Sequence, residues 1–167
     1  MTETTAYAQM GFSDEEWGLL VGLPQAVVTA ASAAEADSTR RTMAEGAAGH
    51  EAISLGRESP SPLVSAVAAE LVSRVGDPEA GEELPVITPP APEAAITDAL
   101  DRARAATALL AARVDEGEAG AYRHWLVSIA EEVVTASSTG GVLGLGGEQV
   151  TESERSFRDR LAAALQD

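Results

Sequence analysis

Alanine fills 33 of the 167 positions, almost as many as leucine, isoleucine, valine and phenylalanine together, which number 35. That share of large apolar residues stands barely above the roughly 20% below which highly charged chains tend to stay disordered, so any core must be thin. Alanine has the highest helix propensity yet buries little area, and its small side chain lets helix backbones pack closely. An all-α fold is the economical reading.

Local signals divide the chain into six helices. Residues 1–11 read as a frayed tail, and 12–167 as a single helical domain. In "FSDEEW", Ser13 as N-cap and Glu16 three residues later form a capping box, with Phe12 and Trp17 as a hydrophobic staple. A helix is therefore expected from Asp14 to near Ala36, with Trp17, Leu20, Val21, Val27, Val28 and Ala31 at helical spacing. Pro24 lacks the amide that would bond back to Leu20, and a kink or restart is expected there. Asp37 and Ser38 cap a second helix, Thr39 to Leu55, which Gly56 stops. "SPSP" at 59–62 opens a third, with Val64, Val67, Leu71 and Val75 on one side up to Gly76.

Five of the eight prolines and four acids fall between Asp77 and Pro92, which marks an extended linker. The isolated "LPVIT" within it has no strand partner elsewhere, and its apolar residues are expected to lie against a helical groove. A fourth helix is expected from Glu93 to Val114, with Ile96, Leu100, Ala103, Thr107, Leu110 and Val114 along its face. After a break at "DEGEAG", a fifth carries Tyr122, Trp125, Leu126, Ile129 and Val133, widened by Val127, Ala130 and Val134. Apolar round most of its circumference, it should be the centre of the fold. Thr151 and Glu154 cap a sixth, which buries Phe157, Leu161 and Leu165. The halves 12–76 and 93–167 share this outline, as a duplicated three-helix unit would. "EGAAG" at 45–49 echoes "EGEAG" at 116–120.

Charge and residue types narrow the function. Acids outnumber bases 27 to 11, every base is arginine, and the formal charge of −16 would repel a phosphate backbone, which argues against nucleic acid as a partner. Without cysteine there is no disulfide framework, thiolate nucleophile or zinc ribbon. No apolar run approaches the roughly 20 residues of a transmembrane helix, and the first residues lack the basic start and apolar stretch of a signal peptide, so a cytosolic protein is expected. His50 and His124 are the only histidines, and neither joins a recognisable triad. His124 reads as a half-buried helix residue beside an aromatic cluster. Glu131 and Glu132 point about 100° apart on a helix and read as a solvated face. No cofactor fingerprint appears, and no enzyme is expected.

Two segments remain as candidate sites. The first is "TGGVLGLGGEQ", where five glycines surround Val142, Leu143 and Leu145. It follows a helix and contains no lysine, unlike a phosphate-cradling loop. It is either an apolar plug between the fifth and sixth helices or an exposed tongue that inserts into a partner or a membrane surface. The second is the junction of the first two helices, where Glu35, Asp37 and Glu45 could supply oxygen ligands to a divalent cation, although Arg40 and Arg41 stand between them. Capping and salt bridging are the competing explanation.

"SDEEWGLLVGLPQAVVTAASAAEAD" followed by "TMAEGAAGHEAI", and "WLVSIAEEVVTASSTGG" followed by "VTESERSFRDRLAAAL", together resemble the TerB-like family of tellurite-resistance-associated helical proteins. In that pattern a helix rich in small residues runs into an acidic or glycine-containing turn, and the next helix begins with a glutamate a few residues on. The resemblance implies a duplicated helical bundle acting as a non-enzymatic accessory or scaffold, with an acidic cation site. It carries over Asp37 and Glu45 as candidate ligands, with Glu148, Glu152 and Glu154 behind them. The chain departs from the pattern in having Arg40 and Arg41 where the first turn would hold a glycine, and "GGVLGLGG" where the second would be short and acidic.

Overall fold

The computed structural model describes residues 10–34, 39–75, 91–138 and 152–166. These form α1 (Asp14–Ala33), α2 (Thr39–Leu55), α3 (Pro62–Val75), α4 (Pro92–Arg113), α5 (Glu116–Ser138) and α6 (Glu152–Ala164), with a 3-10 turn at Gly56–Glu58. No strand occurs among the described residues, and the helices pack together as an all-α six-helix bundle. Most of the 77–92 linker, "LPVIT" included, lies outside the described residues.

The start of α1 follows directly from its local chemistry. Gly11 takes a left-handed φ of 83° and turns the chain so that Met10 packs against the core and Phe12 is buried. The Ser13 amide donates to Glu16 Oε2 at 2.8 Å, the Glu16 amide donates to Ser13 Oγ at 3.2 Å, and the Phe12 and Trp17 rings lie 6.2 Å apart. Two of the orphan amides at this helix end are thereby satisfied. Arg113 Nη2 reaches the same carboxylate at 2.8 Å and ties the end of α4 to the start of α1. The Ser13 amide and the Arg113 guanidinium hold the Glu16 carboxyl below its usual range.

Pro24 does not divide α1: one helix runs through it, so the expected restart does not occur. The reason lies on α5. The Leu20 carbonyl, which cannot receive an amide from Pro24, instead accepts a hydrogen bond from the buried Tyr122 hydroxyl at 2.6 Å. Burial pushes the Tyr122 phenol well above its ordinary pKa, so it remains a donor.

The fifth helix also begins earlier than expected. Asp115 Oδ1 accepts from the Glu118 amide at 3.0 Å, and the Asp115 carbonyl accepts from the Ala119 amide at 3.0 Å. With that cap in place, most of "DEGEAG" is the first turn of α5, favoured by Glu116 and Glu118 near the positive end of the helix dipole. Glu118 also reaches across the chain, where Oε2 accepts from Ser61 Oγ at 2.6 Å and from the Leu63 amide at 3.1 Å. The start of α3 is thus capped by a side chain from the other half.

Two helices, α1 and α5, pack against every other helix of the bundle. Both carry the same four residues, Val27-Val28-Thr29-Ala30 and Val133-Val134-Thr135-Ala136, with all four valines buried. Alanine supplies the close approach that its abundance suggested, with Ala30, Ala99, Ala103, Ala106 and Ala130 fully out of solvent. The short echo noted above falls at unequal places: 45–49 lies in the middle of α2 with Glu45 buried, whereas 116–120 is the first turn of α5 with Glu116 exposed.

Candidate functional site

The inward side of α2 is built from Glu45, Gly49, Ala52 and Ile53, which the rotation of about 100° per residue places together, and it continues into Gly56 of the 3-10 turn. Gly49 sits where α2 crosses α1 and α5. A Cβ there would lie 2.7 Å from both γ-carbons of Val28 and 3.1 Å from Val133 Cγ2. Gly56 lies on the Trp125 indole, where a Cβ would come within 2.7 Å of ring carbons, and Trp125 Nε1 donates to the Ala52 carbonyl at 3.3 Å. Tyr122 meets the same indole edge-on at 6.0 Å.

One turn before Gly49, the Glu45 carboxylate is 1% exposed and accepts a hydrogen bond from Ser32 Oγ on α1 at 2.7 Å. The sequence pointed to Glu45 as an acid in a helix junction, but not to its burial. Its proposed co-ligand Asp37 lies outside the described residues, as do Glu148 and the apolar loop residues Val142, Leu143 and Leu145. Glu152 is exposed on the first turn of α6. Among the described residues, no group of three histidine or acidic side chains is placed to hold a metal ion. None of the described helices is long and apolar enough to cross a membrane.

The two histidines differ in exposure. His124 is exposed, not half-buried as expected, because Tyr122, Trp125 and Leu126 take the inward positions around it. Glu131 and Glu132 are exposed, as a solvated face requires. His50 is half-buried on α2, and burial lowers its pKa below the ordinary value of 6.5. The sign follows from linkage. Below pH 6.5 the unfolded chain takes up a proton that the folded chain resists, so stability attributable to His50 is present at neutral pH and declines as pH falls. The ring is only partly shielded from water, so the effect is small. Urea midpoints measured from neutral to mildly acidic pH should fall more steeply for the natural chain than for His50→Gln, and parallel curves would refute this.

Sequence reasoning missed two surface features. A groove of about 610 Å³ runs between α1 and α4, lined by Gly22, Gln25, Ala26 and Thr29 on one side and Ala94, Ala95, Asp98 and Arg102 on the other. Arg102 pairs with Asp98 at 2.9 Å, and Gln25 Oε1 is buried without a hydrogen-bond partner among the described residues. Small residues on both helices were the available signal, but their alignment depends on how α1 meets α4. The second feature is the outward side of α2, where Met43 is 72% exposed and Leu55 62%. Exposed Ala44, Ala47 and Glu51 lie between them. Comparison with known proteins finds no match among protein-family models, curated proteins or solved structures.

Proposed function

We propose that this chain is a non-enzymatic helical interaction or assembly module that docks a protein partner, or a second copy of itself, through the outward side of α2. The observation that carries this reading is the exposure of Met43 and Leu55. In a chain that fills its core with alanine for want of larger residues, two large apolar side chains on one helix stand in water, which costs free energy unless a surface covers them. The apolar loop residues Val142, Leu143 and Leu145 are a second proposed contact, on their sequence alone.

The test is association measured on the intact protein. Light scattering after size exclusion, and recovery of a stoichiometric partner from native lysate, should both report a complex. Met43→Glu with Leu55→Glu should weaken it by at least about tenfold, or roughly 1.4 kcal/mol, without lowering the melting temperature. Leu143→Ser with Leu145→Ser should weaken it similarly if the loop is a tongue, and should lower the melting temperature instead if it is a plug. A clean monomer that retrieves nothing would overturn the reading.

A divalent-cation-binding stress-response role of the TerB-like kind is a second reading, supported by the resemblance and by the position of Glu45 beside Ser32, where α2 packs on α1. Calcium, magnesium or manganese should then raise the melting temperature beyond sodium chloride of matched ionic strength, since a ligand bound only by the folded state stabilises it. Glu45→Gln should abolish the difference. An equal rise in the variant, or no rise in the natural chain, would rule the site out.

A further inference from the structure

We draw no further inference here: the strongest candidate, the groove between α1 and α4 walled by Gly22, Ala26, Ala94 and Ala95 with the Gln25 amide beside them, is mostly apolar, its rim charges Asp98 and Arg102 pair with each other, and nothing in the structure shows what covers it.

Discussion

Replacing Gly49 with valine is expected to destabilise the protein by about 3 kcal/mol or more, at the upper end of the cost of overfilling a packed core. The added Cβ would stand 2.7 Å from both γ-carbons of Val28 and 3.1 Å from Val133 Cγ2. Rotating Val28 does not relieve the clash, because a β-branched side chain that turns one methyl away brings the other into its place. Backbones of α1, α2 and α5 would have to separate at the point where they cross. For a chain of this length, a loss of that size lowers the melting temperature by roughly 6–12 °C.

Gly49→Ala should cost less, because alanine regains about 1 kcal/mol of helix propensity over glycine. Gly18 provides the control. It is exposed on α1 with nothing within 4 Å of an added Cβ, so Gly18→Ala should stabilise by about 0.5–1 kcal/mol. Opposite signs for the same substitution would locate the effect in packing, not propensity. Stabilisation by Gly49→Ala would mean that the three helices do not cross there. Thermal unfolding followed by circular dichroism decides it.

Tyr122→Phe is the second large expected effect, about 2 kcal/mol within the 1–3 kcal/mol range for stranding a buried acceptor. The phenol donates to the Leu20 carbonyl at 2.6 Å, and Pro24 cannot donate in its place. The hydroxyl matters through the proline, which makes the claim separable from simple loss of a contact. In a Pro24→Ala background, the amide at position 24 can bond back to Leu20 in the ordinary helical way. Tyr122→Phe should then cost at least about 1 kcal/mol less than it does in the natural chain, a coupling that a double-mutant cycle measures directly. Equal costs in the two backgrounds would show that Tyr122 does not complete α1.

These two sites mark the boundary of what could be read from the residues. Helical periodicity located all six helices, and the Ser13–Glu16 box and the apolar faces of α4, α5 and α6 appear where spacing placed them. Local rules also identified Pro24 as a defect, but its repair comes from a tyrosine on α5, and no local rule pairs residues so distant. "DEGEAG" looked like a break because its glycines weigh against a helix, whereas Asp115 supplies a cap that outweighs them. Glu45 drew attention as an acid in a turn. Its burial depends on the tilt of α2 against α1 and α5, which Gly49 permits and hydropathy does not encode. Val28 and Val133 stood out only as members of apolar faces, and their meeting at Gly49 needed the packing.

The same geometry gives the proposed function its physical basis. With Glu45, Gly49 and Gly56 turned inward, α2 lies close against α1 and α5, and its opposite side must face outward. Met43 and Leu55 stand on that side. The proposed interaction role rests on this arrangement, a small-residue core with two large side chains of α2 left at the surface.

Oxidation of Met43 by dilute peroxide, followed residue by residue in the isolated chain and in the complex recovered from native lysate, tests this most directly. Methionine oxidation tracks exposure of the thioether, and Met10, partly buried against the core, serves as the internal reference. Docking on α2 predicts that Met43 reacts faster than Met10 in the isolated chain and becomes several-fold protected in the complex. A stable complex in which Met43 oxidises as fast as in the free chain would contradict the assignment of α2 as the docking face.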